Sequence, residues 1–265
     1  MTIPGYLMFT FGRNFCHRGF VGAALVAVFA VPAVAQSDVT TDSSEPVATA
    51  DAPTKSVKPG INKSFLSKDL DVQSFVDRFE AESREIFRAR QSIVDAIGLK
   101  PGDRIADVGT GTGLFVEPFS EAVGKDGWVF ATDIAPKFLE RVERLIELKS
   151  LSNASAVLSG QDDVRLPPNS VDVLFVCDVY HHFEFPSQSL YSIFRAVRPG
   201  GQFVIIDFNR IPGESRPWLL DHVRAGKEVF RSEIEDAGFE FVEEVEIPEF
   251  EENYFLRFRR PGDGG

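Results

Sequence analysis

The chain reads as an α/β protein on a mainly parallel sheet covered on both faces, and three observations predict it. Short apolar strands alternate with amphipathic helices from residue 104 to about residue 237, as strands joined by crossover helices do. The strand at 105–108 runs straight into glycines at alternate positions, Gly109, Gly111 and Gly113. Two strand-like stretches, 239–247 and 254–259, then follow one another with no helix between them. A C-terminal antiparallel hairpin is therefore expected to complete the sheet.

Taken in order, the chain opens with a segment that has the marks of a secretory signal. Arg13, His17 and Arg18 flank an apolar run at 20–31, and Pro32 precedes Ala33-Val34-Ala35, a small-x-small cleavage site. The run is shorter than the ~20 residues of a spanning helix, so 1–35 is expected to direct export to the periplasm or exterior. The alternative is an uncleaved N-terminal anchor that tethers the protein to a membrane. Residues 36–64 read as a disordered linker, because 36–60 are rich in Ser, Thr, Ala, Pro and Asp and nearly empty of large apolar groups. The domain is expected over 65–265, roughly 200 residues and enough for one core.

Within the domain, Phe75, Phe79, Ile86, Phe87, Ile93, Val94 and Ile97 recur at helical spacing, and Gly98 and Pro101-Gly102 end that region. After the glycine loop come a helix carrying Leu114, Phe115, Val116 and Phe119, a strand at 128–132 and a helix at 138–148. Strands at 155–158 and 171–177 follow, then a helix at 190–197 stopped by Pro199-Gly200-Gly201. A strand at 202–208 and a helix at 228–237 lead to the closing hairpin.

The sequence carries a formal charge of −12. Setting aside the leader's Arg13 and Arg18 leaves −14 for the remainder, which repels phosphate backbones and argues against a nucleic-acid partner. Of the two cysteines, Cys16 lies in the leader and Cys177 in the domain. No cysteine cluster exists for a structural zinc, and no metal is assigned.

The glycine loop is a ligand-binding turn. Glycine adopts positive φ and has no Cβ, so a ligand can lie against the backbone of Gly109, Thr110, Gly111 and Gly113. A dinucleotide site wants G-x-G-x-x-G, but here the third glycine comes one residue early and position 114 is leucine. Asp107 precedes the loop, and a carboxylate suits an ammonium group better than a pyrophosphate. Asp133, at the end of the next strand, has the placement of an acid that accepts both hydroxyls of a ribose. The alternative is that it caps the helix that begins near Pro136.

The acid followed by G-x-G-x-G resembles the first motif of the class I S-adenosylmethionine-dependent methyltransferases, of the small-molecule type. The order of later features extends that resemblance: the run from Val171 into Asp178, Val179, Tyr180, His181 and His182, and then Arg198-Pro199-Gly200-Gly201. It implies a doubly wound, seven-stranded Rossmann-like sheet and S-adenosyl-L-methionine as cofactor. It also implies Ile134 flat against the adenine, and an acid at Asp162 or Asp163, with preference for Asp162, on the adenine amino group. Asp178, at the carboxyl end of its strand, joins the cofactor contacts. The acceptor implied is a small, quinone-like or similar molecule. His181 is the candidate general base, because histidine titrates near neutrality, with Tyr180 or His182 orienting it. Asp207, Asn209 and Arg210 are further candidates to line the acceptor pocket, and Phe65, Phe75, Phe79, Tyr180, Phe183, Phe208 and Trp218 to cover it. A non-catalytic adenosyl-ligand binder and an NAD-dependent oxidoreductase are the alternative readings.

Overall fold

A computed structural model describes residues 55–82 and 84–262, with the side chains of 80–84 left aside. The expected leader or anchor and most of the linker lie outside the described residues. No helix among the described residues is long and apolar enough to cross a membrane.

The sheet has seven strands: β1 Arg104–Val108, β2 Trp128–Asp133, β3 Ala154–Leu158, β4 Val171–Cys177, β5 Val197–Phe208, β6 Glu240–Val245 and β7 Asn253–Arg259. Their spatial order is β3-β2-β1-β4-β5-β7-β6. β1 pairs in parallel with both β2 and β4, β2 with β3, and β4 with β5, whereas β7 runs antiparallel to β5 and β6. The seven-stranded sheet with its antiparallel closing hairpin is the one the resemblance implies. The order reverses between β1 and β4, so the carboxyl ends of these two strands flank the crevice where such sheets bind ligands.

Side chains alternate along each strand and give two cores. Ala106, Leu174, Val176, Phe203, Ile205, Leu256 and Phe258 face one layer, which includes α6 Pro186–Ala196 and α8 Lys227–Asp236. Their neighbours Ile105, Val173, Phe175, Val204, Ile206 and Phe255 face the other, with α3 Arg90–Ile97 and α4 Val116–Val123. This period of two is why strands buried on both sides read as unbroken apolar runs. At the open edge, β6 carries Glu240, Glu243 and Glu244, charges that discourage pairing with another chain.

The structure departs from the sequence expectations in several places. The helical region before β1, with α1 Val72–Glu82 and α2 Arg84–Arg88 ahead of α3, is interrupted by a turn at Ala89. The helix after the glycine loop starts only at Val116, following a turn. β5 begins before Pro199-Gly200-Gly201 rather than after it, accommodated by a register shift against β4 between Val171 and Val173. A helix not anticipated from the sequence, α7 Pro217–His222, lies between β5 and α8. The remaining helix, α5 Pro136–Leu148, follows β2 as expected.

The linker expected to reach residue 64 also ends earlier. Ser56 Oγ donates to Glu184 Oε2 (2.6 Å), the Val57 N–H to the Glu184 carbonyl (2.9 Å) and the Gly60 N–H to Glu184 Oε1 (3.2 Å). Lys58 Nζ donates to the carbonyls of Asp221 (2.7 Å) and His222. Composition foretold little apolar burial here, and hydrogen bonds rather than apolar area seat this strap on the domain.

Candidate active site

The glycine loop is fixed to β2 before any ligand is considered. The N–H groups of Gly109 and Thr110 both donate to the Thr132 carbonyl, at 2.8 and 2.9 Å. Gly109 has φ +74°, and a Cβ there would lie 2.5 Å from Val179 Cγ1. Only glycine permits β1 and the segment after β4 to approach this closely. Gly113 serves a different purpose. Its absent Cβ would meet Leu145 and Val142 at 3.2 and 3.3 Å, so it seats the turn on α5. It does not itself line the cavity.

Two buried carboxyls face the cavity beside this loop. Asp107 Oδ2 accepts the Thr110 hydroxyl at 2.7 Å. Burial pushes the Asp107 pKa up to about 7, with the Thr110 bond opposing and Asp133 adding to the rise. Asp133 Oδ2 accepts the Gly111 N–H (2.9 Å) and Oδ1 the Ala135 N–H (2.8 Å). Burial raises its pKa to about 6, held back by N–H donors from Ala135, Gly111 and Ile134. Asp133 thus braces the residue ahead of α5 and presents a carboxyl to the cavity.

The cavity, of about 400 Å³, runs from these acids past Ile134, Ser159 and Asp163 to Asp178, Val179 and a cluster of histidines. Asp178 sits at φ +53°, with Oδ1 accepting from Asn253 Nδ2 at 2.7 Å. Of the two candidate adenine acids, Asp163 lines the cavity and the preferred Asp162 does not. The backbone explains this, since the Gly160 N–H donates to the Asp163 carbonyl (2.7 Å) and curls the turn inward.

His181 and His182 form a short 3₁₀ turn after β4. His181 is buried, and its Nδ1 lies 2.8 Å from Asp207 Oδ1 while its backbone N–H donates to Asp207 Oδ2 at 3.1 Å. An acceptor-only carboxylate makes Nδ1 the donor, so the neutral ring carries its lone pair on Nε2. Asp207, foreseen as pocket lining, acts instead from behind His181, fully buried. His222, from α7, brings Nε2 to 3.3 Å from His182 Nε2. Burial, and then the neighbouring His181, lower the pKa of both: His182 well below the usual range and His222 to about 4.

Tyr180 is turned away from this group. Its hydroxyl donates to Glu233 Oε2 at 2.9 Å, its ring packs on Phe183 and Phe230, and it is wholly buried outside the cavity lining. A 3₁₀ turn sends successive side chains in different directions, which withdraws Tyr180 from the catalytic role proposed for it. Phe65, Phe79, Phe183, Phe208 and Trp218 do line the cavity, whereas Phe75 packs behind Phe65 and Phe138. Asn209 and Arg210 are not in the lining; Arg210 instead donates to the carbonyls of Leu220 in α7 and of Val223 just after it, at 2.9 Å each. The contributions of Asn62 and Phe138 were not foreseen. His222 comes from the segment between β5 and the last helix that the resemblance implies covers the acceptor, with Trp218 four residues before it and Pro217 opening its helix.

The sheet order, with the acid-glycine loop after β1 and an acid ending β2, is the Rossmann-like fold of the class I S-adenosylmethionine-dependent methyltransferases. The comparisons agree: residues 106–205 match the family model described as a methyltransferase domain. It is similar to the ubiquinone/menaquinone biosynthesis C-methyltransferase UbiE of Vibrio cholerae, 29% identical over 118 residues, 44% of this chain and 45% of that protein. The UbiE of Pasteurella multocida is 29% identical over 119 residues, 44% of each chain. The chain thus matches less than half the length of these curated relatives. Among solved structures, a SAM-dependent methyltransferase from Aquifex aeolicus has a TM-score of 0.63 at 24% identity, covering 72% of this chain and 98% of that one. Haemonchus contortus phosphoethanolamine N-methyltransferase 2, in complex with S-adenosyl-L-methionine, has a TM-score of 0.62 at 14% identity, covering 76% of this chain and 60% of that one. At these identities the structural likeness speaks for the fold.

Proposed function

We propose that the protein transfers a methyl group from S-adenosylmethionine to a small-molecule acceptor. The observation that carries this reading is the pair of buried carboxyls, Asp107 and Asp133, on either side of a glycine loop in a cavity that continues to an aromatic and histidine-lined end. The cradle fits the cofactor: Gly109 leaves no room for a side chain, and Asp107 suits an ammonium and Asp133 a ribose diol. Ile134 and Asp163 lie in the lining where an adenine would pass. When bound, the cofactor supplies an electrophilic methyl group on a sulfonium.

The protein's own contribution is mostly placement and exclusion of water. Phe65, Phe79 and Phe208 form apolar wall, Trp218 stacks on His222 with centroids 4.7 Å apart, and the strap at 56–62 ties the N-terminal side to α7. A cavity of this size and lining takes a compact, largely apolar, ring-bearing acceptor. Similarity to a quinone C-methyltransferase, together with the acidic balance, supports that class over a polymer. His181, with Nδ1–H held by Asp207, presents Nε2 to take a proton from the acceptor.

Calorimetry with S-adenosylhomocysteine and with NAD tests the cofactor assignment. Binding of the first and not the second is expected, and the reverse would overturn the reading. Labelled-methyl transfer across a panel of phenols and quinols then identifies the acceptor.

A further inference from the structure

The histidines at the acceptor end are arranged for more than proton transfer. Among the described residues, His181, His182 and His222 are the group whose ligand-type nitrogens all lie within 4.8 Å of one another. We infer that these three imidazoles form a binding site for a divalent transition-metal ion of the zinc class at the acceptor end of the cavity.

Geometry supports this first. Three nitrogens about 2.0–2.1 Å from a tetrahedral ion stand roughly 3.3–3.4 Å apart, and His182 Nε2 and His222 Nε2 are 3.3 Å apart. Rings radiating from such an ion have centres roughly 5 Å apart. The centroid distances are 5.1 Å for His181–His222, 5.0 Å for His182–His222 and 4.3 Å for His181–His182. Ring rotations of about 1 Å at the nitrogens would close the set.

The surroundings support it independently. A metal-bound histidine commonly donates its other ring N–H to a carboxylate, which fixes the tautomer and aims the lone pair. Asp207 does this to His181 Nδ1 at 2.8 Å. Each ring is also held from outside: His181 by Asp207, His182 edge-on by Phe65 at 5.2 Å, and His222 by stacking on Trp218.

Three neutral nitrogens suit zinc, copper, iron or nickel rather than calcium or magnesium. A three-histidine set leaves a fourth position open, and all three residues line the cavity. If the methyl-transfer reading holds, that position would receive an anionic oxygen or thiolate of the acceptor. The ion would then favour the deprotonated acceptor directly, with His181 Nε2 a ligand and not a base.

The experiment is a Co²⁺ titration of the full-length chain after chelator treatment, followed by the visible absorption of four-coordinate cobalt. Wild type should take up cobalt with that spectrum. His222→Ala should weaken uptake at least tenfold, and Asp207→Asn by about 10–100-fold. Comparison with His222→Ala cancels any uptake by His17, the one other histidine. The thermal unfolding transition of each variant shows that it is folded, and S-adenosylhomocysteine calorimetry reads the cofactor end separately. No four-coordinate spectrum in wild type, or equal uptake by wild type and a folded His222→Ala, overturns the metal site and leaves the base role to His181. A wild type that binds cobalt but not S-adenosylhomocysteine would instead sink the cofactor reading while leaving the metal site standing.

Discussion

At one end of the cavity, the loop glycines and both carboxyls come from residues 107–133, and backbone bonds from Gly109 and Thr110 to Thr132 and from Gly113 to Thr110 shape the loop. At the other, the walls come from the strap near Asn62, the 3₁₀ turn at 180–182, the end of β5 and α7. These segments are far apart in sequence and are held by side chains: Asp207 on His181, Lys58 on the α7 carbonyls, and Asn62 on the His182 carbonyl. The first end belongs to the sheet and should fail only when the sheet is strained. The second should yield one contact at a time, so acceptor choice can vary on a fixed cofactor platform.

The largest test of this contrast is Gly109→Ala. Its Cβ would overlap a stiff Val179 side chain, at a backbone φ that L residues avoid. Overpacking of 1–3 kcal/mol and a left-handed penalty of 1–2 kcal/mol together predict a loss of about 2–5 kcal/mol, read from the denaturation midpoint. A neutral result would mean that the loop is not part of the rigid frame.

Next in size is Asp133→Ala. Loss of hydrogen bonds to a charged group should weaken S-adenosylhomocysteine binding by about 1.5–3 kcal/mol, measured by calorimetry. Unchanged affinity in a folded variant would take Asp133 out of the ligand contacts and leave it as a brace for α5.

Acidity separates the ends in a third way. Burial raises Asp107 to about 7 and Asp133 to about 6, above their values in the unfolded chain. The ligand-free fold therefore binds more protons than the unfolded chain between about pH 4 and 7, and these groups lower its stability as pH rises through that window. A ligand that pairs with the ionised carboxyls has the opposite demand. S-adenosylhomocysteine affinity should fall as pH drops below about 7, by up to about tenfold per unit for each carboxyl that must lose its proton. Affinity that is flat from pH 5.5 to 7.5 would show that neither carboxyl meets the ligand as an anion.

The smallest effect belongs to the acceptor end. Trp218→Ala removes the ring stacked on His222, worth about 0.5–1.5 kcal/mol. The acceptor KM should rise about two- to tenfold, with S-adenosylhomocysteine affinity unchanged. A matching loss on the cofactor side would show that the two ends are coupled through α7.

The sequence by itself determined the sheet and the cofactor end. A buried parallel strand must be apolar throughout, a backbone approach as close as that at Gly109 requires glycine, and an acid at a strand end points into the crevice; each rule acts within a few residues. The same local rules left open how Gly113, Tyr180 and Asp162 sit relative to the cavity. Which way a side chain faces after a turn depends on what packs behind it: Leu145 and Val142 behind Gly113, Glu233 and Phe230 beside Tyr180, and the Gly160–Asp163 bond in the last case. Only the tertiary structure brought His222 beside His182, set Asp207 behind His181 and laid the strap against Glu184. Those contacts join residues 40, 26 and 128 positions apart, and no local pattern encodes them because their free energy is gained only when the separate elements dock.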